Sequence, residues 1–232
     1  PPPPPFSFGL WKNKVTRDHQ IEAFKHLYDV SRETIQRLLD YERLILTHQK
    51  DFNLVGRGTL DQVWIRHFAD SAKIFPIIKR YPNNRKSGVK FVDIGTGAGL
   101  PGVVFSIISE IDGFKSRVVL IDSNQKKCRF LNEVKIKLGL SYQVVNERSE
   151  RLKKKFDVIT CRAVSSVLDI LTKNHSMIGD KTKILLFKGK NWEIELKESK
   201  KKWKFKCNVV KNNKLLDSTG GVTLELTNIK KI

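Results

Sequence analysis

The chain has 232 residues, 40% hydrophobic and 29% charged, which is enough for one large globular domain with a helical extension. Its 44 Lys and Arg outnumber 24 Asp and Glu, so the net charge is +20 at pH 7. This excess favours a polyanionic partner such as nucleic acid, although lysine over-used throughout a chain can be unrelated to binding. Three scattered cysteines exclude a disulfide framework or a zinc site, and no apolar run approaches the roughly 18 residues of a membrane span. We therefore expect reduced thiols, a cytoplasmic location, no bound metal and no membrane contact.

The beginning of the chain is predicted to be helical after a proline-rich start. Residues 1–15 lack the charged-then-apolar order of a signal peptide, and we expect an extended or disordered lead-in there. Across residues 16–50 apolar residues recur at helical spacing, and Ser31 is predicted to cap the second of two helices. The sequence thus predicts a helical section over residues 16–85 that packs on a main domain over residues 86–232.

Residues 91–102 read FVDIGTGAGLPG, an apolar strand that ends near an acid and opens into a glycine-rich turn. Gly95, Gly97 and Gly99 permit positive φ angles and let the backbone approach a ligand closely. A helix is predicted to follow over residues 103–111. Strand, glycine turn and helix together are typical of half a nucleotide-binding βαβ unit.

Strands and helices alternate from Gly88 onward, which predicts a parallel sheet covered by helices on both faces. The predicted strands span residues 89–94, 117–121, 143–146, 156–160 and 183–187, and the predicted helices span residues 103–111, 124–138 and 164–173. Two further strands, around residues 203–209 and 222–226, alternate apolar with polar residues and are joined by a predicted turn at 217–221. The fold class is therefore α/β, a Rossmann-like methyltransferase fold with a mostly parallel sheet and antiparallel terminal strands.

Two acidic residues indicate which cofactor the glycine turn binds. The pattern G-x-G-x-x-G from Gly97 to Gly102 also fits a dinucleotide loop and is weak evidence alone. Asp93, two residues before the first glycine of the turn, would repel a pyrophosphate but suits the sulfonium and ammonium groups of S-adenosylmethionine (AdoMet). Asp122 ends the second strand, where ribose hydroxyls are bound in such folds. AdoMet is the favoured cofactor, and a dinucleotide remains an alternative.

The chain resembles the bacterial small-subunit ribosomal RNA guanine-N7 methyltransferases, the glucose-inhibited division protein B family. The resemblance rests on segments in the family's order that cover most of the chain: residues 52–54 (FNL), 65–71 (IRHFADS), 91–102, 120–123 (LIDS) and 162–163 (RA). It implies transfer of a methyl group from AdoMet to N7 of a specific guanine. The implied partner is ribosomal RNA or the small ribosomal subunit, and we expect a monomer.

Position by position, the resemblance implies AdoMet contacts at Gly95 and Leu100 in the turn, at Ser149 and Glu150 after the third strand, and at Arg162 after the fourth. Ser149 is expected to contribute only its backbone. Arg162 is also the candidate for positioning substrate, although it could be an ordinary surface arginine. Guanine N7 carries a lone pair and no proton, so no general base is expected and no other catalytic residue is assigned.

Four basic side chains are candidates for RNA contact. Lys126 and Lys127 lie in the first turn of a predicted helix, and phosphate contacts there would position RNA without reading its sequence. Arg66 either meets RNA or pairs with Asp70 four residues on. Lys188 closes the fifth strand and either meets RNA or is simply solvated. His67, on an apolar helix face, is expected to be a buried structural histidine.

Two other functions remain open from the sequence. Cys161 stands where the family has a serine, and a thiol after the fourth strand could serve a cytosine-C5 RNA methyltransferase; the Pro-Cys pair of those enzymes is absent. The net charge, with no evident catalytic side chain, also fits a non-catalytic RNA-binding or ribosome-assembly factor of the same fold.

Overall fold

The structure, a computed structural model, describes residues 16–81, 87–162, 165–211 and 221–232. The predicted lead-in at residues 1–15, most of the predicted turn at 217–221 and the predicted helix start at residue 164 lie outside the described residues. The predicted boundary between residues 85 and 86 also lies outside the described residues, and that division into two domains stays a prediction.

Within these described ranges, seven strands form one sheet in the order β3-β2-β1-β4-β5-β7-β6. They are β1 Val89–Ile94, β2 Ser116–Asp122, β3 Gln143–Asn146, β4 Phe156–Arg162, β5 Ile178–Lys188, β6 Trp203–Lys211 and β7 Val222–Lys231. The first five strands are parallel to one another, and β7 is antiparallel to both β5 and β6. The predicted α/β fold with antiparallel terminal strands is confirmed.

The register brings the chemically important strand ends to one edge. Asp93 of β1 pairs with Leu120 of β2 on one side and Thr160 of β4 on the other. β2 lies on one side of β1 and β4 lies on the other, so the strand order reverses direction at β1. In open α/β sheets the ligand crevice lies at the carboxyl ends of the strands at such a point.

Eight α-helices lie among the described residues. They are α1 Arg17–Tyr28, α2 Arg32–Phe52, α3 Asp70–Ala72, α4 Phe75–Lys79, α5 Gly102–Ile111, α6 Gln125–Leu138, α7 Val167–Lys173 and α8 Trp192–Ser199. As predicted, Ser31 caps α2, because its hydroxyl accepts the Thr34 N–H at 3.1 Å. α8 was not predicted. None of the described helices combines the length and apolar character needed to cross a bilayer.

The helices before β1 share a hydrophobic core with one face of the sheet. Phe24, Leu38 and Phe68 from this section belong to the same buried cluster as Phe91 of β1 and Phe105 of α5. The rings of Phe91 and Phe105 stack with centroids 4.3 Å apart. A second buried cluster lies on the opposite face, beneath α7 and α8. The helical section is therefore held by burial of apolar surface against the sheet.

Tyr41 of α2 fixes the helical section directly to the glycine turn. Its ring is fully buried and stacks on Phe68, with centroids 5.4 Å apart. Its hydroxyl donates to the carbonyl oxygen of Ala98 at 2.6 Å, within the turn. Burial raises the pKa of Tyr41, so it remains a neutral donor. The turn is thus supported from outside the sheet as well as from within.

Arg162, the last residue of β4, makes the second connection to the helical section. Its Nη2 donates to the carbonyl oxygen of Arg66 at 2.8 Å and lies 3.2 Å from Nδ1 of His67. Its Nε forms an ion pair with Asp70 at 3.2 Å. Asp70 also pairs with Lys73 at 2.5 Å. The guanidinium group therefore joins the end of β4 to the helical turns at residues 64–72.

These contacts fix the protonation of His67. The Thr59 hydroxyl donates its only proton to the Gly56 carbonyl oxygen at 2.7 Å. The same hydroxyl lies 2.8 Å from Nε2 of His67, so it accepts a hydrogen bond there and Nε2 carries the ring proton. Nδ1 then carries no proton and accepts from Arg162. Burial, aided by the Arg162 charge, lowers the pKa of His67 to about 4. The prediction of a buried structural histidine is confirmed.

A neutral His67 makes stability depend on pH. The unfolded chain binds a proton to this residue near its ordinary pKa of 6.5, whereas the folded chain binds it only near pH 4. Stability is therefore lost as pH falls from about 6.5 toward 4, by roughly 3 kcal/mol for this residue. We predict that His67→Gln, which cannot be charged, reduces this loss relative to the wild type. Urea unfolding of both proteins between pH 4 and 7 checks this, and parallel pH profiles would contradict it.

Candidate functional site

A cavity of about 390 Å³ opens at the carboxyl ends of β1, β2 and β4. This volume lies within the range of small-molecule sites. Its walls come from the strand ends, from the loop after β3 and from α7, and they include Gly95, Asp122, Ser149, Glu150 and Cys161. Four of the eight predicted cofactor-binding residues therefore line one cavity: Gly95, Asp122, Ser149 and Glu150. Gly97, Leu100, Arg162 and Asp93 are not among the described residues that line it.

Asp93 is buried within the glycine turn. One carboxylate oxygen accepts from the Thr96 hydroxyl at 2.5 Å and from the Gly102 N–H at 3.1 Å, and the other accepts from the Thr160 hydroxyl at 2.8 Å. Burial raises its pKa to about 6, although these hydrogen bonds favour the ionised form. The sequence placed this carboxylate against the cofactor, whereas the structure turns it inward, because donors from the turn, from the start of α5 and from β4 surround it.

Asp122 holds the other side of the turn. One of its carboxylate oxygens accepts from the Gly97 N–H at 2.9 Å, and the other accepts from the Asn124 N–H at 2.8 Å. Its side chain reaches the cavity surface, and each oxygen keeps a second lone pair for a hydroxyl group. Two carboxylates near the ends of neighbouring strands thus hold the N–H groups of Gly97 and Gly102 in one turn.

Glycine is needed in this turn for reasons of space as well as backbone angle. Gly97 has a φ of +60°, and Gly99 a φ of +99°. A Cβ on Gly99 would lie 2.3 Å from Val103, and one on Gly102 would lie 2.2 Å from Leu120. Leu100 is 6% exposed and belongs to the core cluster shared with the helical section. The resemblance implied a cofactor contact at Leu100, and the structure places its side chain in packing.

Carboxylates outnumber basic groups on the cavity wall. Among the described residues, four acids line it (Asp122, Glu147, Glu150 and Asp169), against three basic residues (Lys127, Arg148 and Lys173). The lining thus carries 3 − 4 = −1, in a chain of net charge +20. The Arg148 N–H donates to Glu147 at 2.8 Å and lowers the pKa of Glu147, which keeps this acid ionised. Such a lining favours a ligand with positive charge over a pyrophosphate.

The four predicted RNA-contact residues occupy different environments. Lys127 lines the cavity, and Lys126 is exposed beside it at the start of α6, where Asn124 accepts both of their N–H groups at 2.9 and 3.2 Å. Arg66 does not pair with Asp70 as the alternative expected, since Asp70 is engaged by Arg162 and Lys73. Its side chain is partly exposed.

Lys188 has neither of the environments predicted for it. Its side chain is 8% exposed and pairs with Glu195 of α8 at 2.8 Å. The Lys188 ammonium group also donates to the carbonyl oxygen of Ser165. Glu195 in turn accepts the N–H of Val167 at 3.0 Å, at the start of α7. Lys188 is thus an internal tie between β5, α7 and α8, because α8, which sequence reasoning missed, covers it.

Sequence reasoning also missed several residues that build the site. Thr96, Thr160 and Tyr41 hold the glycine turn through their hydroxyl groups, and Asp169 contributes an acid from α7. Thr160 offered one usable signal, because it is a hydroxyl residue within the apolar stretch 158–161 of β4. Nothing local identifies Tyr41, which lies 57 residues before its acceptor.

Solved structures show the same fold at low sequence identity. A mutant of MtNAS in complex with S-adenosylmethionine superposes with a TM-score of 0.56 at 16% identity, covering 90% of this chain and 83% of that one. A ribosomal protein L11 methylase from Lactobacillus delbrueckii subsp. bulgaricus gives a TM-score of 0.52 at 12% identity, covering 69% and 79%. These likenesses support the fold alone.

Sequence comparisons are more specific. The GidB family model, described as rRNA small subunit methyltransferase G, matches residues 34–220. A ribosomal RNA small subunit methyltransferase G of Rickettsia bellii is 33% identical over 208 residues, 89% of this chain and 100% of the relative. A protein of the same name from Bartonella tribocorum is 32% identical over 221 residues, 92% of this chain and 99% of the relative. The resemblance drawn from the sequence motifs is confirmed, and the chain belongs to the GidB family of rRNA small subunit methyltransferase G proteins.

Proposed function

We propose that the protein transfers a methyl group from AdoMet to N7 of a guanine in small-subunit ribosomal RNA. The observation that carries this proposal is a cavity whose described lining has more acidic than basic residues, in a strongly basic chain. A cationic cofactor suits the cavity, and a polyanionic substrate suits the surface around it. Membership of a methyltransferase family makes the protein an enzyme, which disfavours the non-catalytic alternative.

The residues present fit AdoMet. Gly95, Ser149 and Glu150 line the cavity, and Asp122 offers free lone pairs at the strand end where ribose hydroxyls bind. Gly97 contributes its backbone through the hydrogen bond to Asp122. AdoMet supplies an electrophilic methyl group on a sulfonium. We propose that Asp93 and Leu100 support the cofactor from inside the turn, by hydrogen bonding and packing respectively.

The chemistry asks little of the protein beyond alignment. Guanine N7 presents an in-plane lone pair and carries no proton, so transfer needs no general base. The product base is cationic, and acids at the cavity wall such as Glu150 and Asp169 stabilise that charge. We propose that the protein contributes orientation and electrostatics instead of acid–base catalysis.

Arg162 is proposed to position the substrate side of the site indirectly. Its guanidinium group is committed to Arg66, His67 and Asp70, so it holds the helical section beside the cavity. Arg66, Lys126 and Lys127 are proposed to meet RNA phosphates from the rim. Monomeric action in the cytoplasm, where the substrate is made, completes the proposal.

The direct test is to incubate the protein with methyl-labelled AdoMet and either small ribosomal subunits or deproteinised RNA. Nuclease digestion and mass spectrometry then identify the modified base. We expect 7-methylguanosine at one position. Label on cytosine C5, label on protein, or no transfer to either form of the RNA would contradict the proposal.

We predict that Asp93→Ala and Asp122→Ala each weaken AdoMet binding by about 10- to 100-fold, because each leaves donors of the glycine turn without their acceptor. Isothermal titration calorimetry measures the affinity, and circular dichroism confirms that each variant is folded. Asp157→Ala is the matched control, since this strand acid accepts the Lys90 N–H at 2.9 Å at the opposite edge of the sheet. Unchanged affinity in a folded Asp122→Ala would contradict the assigned role.

Cys161 gives a separate prediction. This residue lines the cavity, but its side chain is 2% exposed and guanine-N7 transfer uses no thiol. We predict that Cys161→Ser keeps methyl transfer within about threefold of the wild type, because serine is nearly the same size. Steady-state kinetics with ribosomal subunits checks this. Abolished transfer in a variant that still binds AdoMet would favour the cytosine-C5 mechanism instead.

A further inference from the structure

A dense group of lysines lies outside the cofactor site, around the beginning of β6. Lysine occupies six of the ten positions from Lys197 to Lys206. The terminal lysine face is defined here as Lys200, Lys202, Lys204, Lys206 and Lys230. All five are exposed, and across the described residues none forms a salt bridge. The neighbouring acids are already engaged, since Glu198 pairs with Lys201 at 2.7 Å and Glu225 with Lys183 at 3.0 Å.

The sheet register concentrates this charge. β6 and β7 are antiparallel, and Lys204 lies directly opposite Lys230. Like charges opposite each other on neighbouring strands destabilise a sheet. The pairing with β7 shifts register between Lys204 and Lys206. Both lysines are nevertheless exposed on either side of the half-buried Phe205, so they project from the same face of β6. The chain thus places three cations together at some cost to folding, which an external anion would remove.

The terminal lysine face is separate from the cofactor cavity. β6 runs parallel to β5, and Lys211 lies level with Lys188 at the carboxyl edge through their shared partner Val222. Lys204 is seven residues before Lys211, about 23 Å along the strand. Between β4 and β6 lie β5 and β7, a lateral distance of about 14 Å. A ligand that meets both places must be extended and structured.

Protection of an exposed sheet edge is the simpler explanation for lysines on β6. β6 is an edge strand, and natural proteins place charged residues there against edge-to-edge aggregation. Charge of either sign protects an exposed edge, and edge protection does not require Lys230 opposite Lys204. The two explanations therefore differ in what they expect from charge reversal.

We propose that the terminal lysine face is a second RNA-binding surface, which holds the phosphate backbone of structured RNA away from the methylated base. Lysine provides a point charge suited to phosphate, without the planar fork used to read bases. The surface would orient a folded substrate while the cavity acts on one guanine. The choice of RNA as partner rests on the proposed function, but the charge and its geometry do not.

The test compares two triple variants of equal net charge. The first is Lys204→Glu, Lys206→Glu and Lys230→Glu. The control is Lys50→Glu, Lys90→Glu and Lys137→Glu, at exposed positions on α2, β1 and α6. Filter binding of deproteinised small-subunit ribosomal RNA, without AdoMet, is measured from about 50 to 200 mM salt. Calorimetry measures AdoMet binding to each variant.

We expect the first variant to lose at least about tenfold in RNA affinity and about three units of salt slope, one for each lost phosphate contact. The control should stay within about threefold of the wild type, and AdoMet affinity should be unchanged in both. Replacement of the same three lysines by arginine should retain RNA binding. Because RNA binding is measured without methyl transfer, this result would stand even if the methylated base were assigned wrongly.

Three results would overturn the inference. Unchanged RNA affinity in the first variant, with the protein monomeric on gel filtration, would leave only edge protection. Equal losses in both variants would show a general effect of net charge. Loss of binding to vesicles containing anionic phospholipid, with RNA affinity intact, would assign the surface to a membrane.

Discussion

The site depends on two carboxylates that hold one glycine turn between neighbouring parallel strands. Asp93 accepts from Gly102 and Thr96, and Asp122 accepts from Gly97, so the turn is fixed at both ends. Both acids end adjacent strands whose register is set by the sheet, so their separation is not adjustable. A turn with positive φ angles and few side chains has little stability of its own, and these hydrogen bonds supply what local packing cannot. The cavity opens beside this fixed turn, where Gly95 and Asp122 line it.

The helical section before β1 also holds the site in place, through contacts from outside the sheet. Tyr41 donates to the turn at Ala98, and Arg162 reaches from the end of β4 to Arg66, His67 and Asp70. Arg162, which the sequence predicted to contact a ligand, therefore holds two parts of the protein together. A motif shared by a family contains residues that bind ligand and residues that hold the fold. Only the contacts of each side chain show which of these two roles it has. The cavity lining carries a small excess of acids in a strongly basic chain, which suits a cationic cofactor inside and an anionic substrate outside.

The sequence predicted most of the fold, because its signals are local. The alternation of apolar strands and helices gave the five parallel strands, and Ser31 marked the start of α2 through its capping hydroxyl. The side-chain environments were less accessible. Asp93 was expected to face the cofactor, but the donors that turn it inward come from β4 and α5, 67 and 9 residues away. Lys188 was expected at the surface, but α8 covers it, and the weakly amphipathic sequence of α8 gave no warning. Long-range partners decide such positions, and a single sequence does not show them.

The most direct measurement of the central claim is the crystal structure of the protein bound to AdoMet. We expect the ribose hydroxyls on the Asp122 carboxylate, the cofactor between the glycine turn and residues 149–150, and Asp93 still bonded to Thr96, Thr160 and Gly102. A cofactor that lies elsewhere, or an Asp93 that has left these three donors, would contradict the account of how this turn is held.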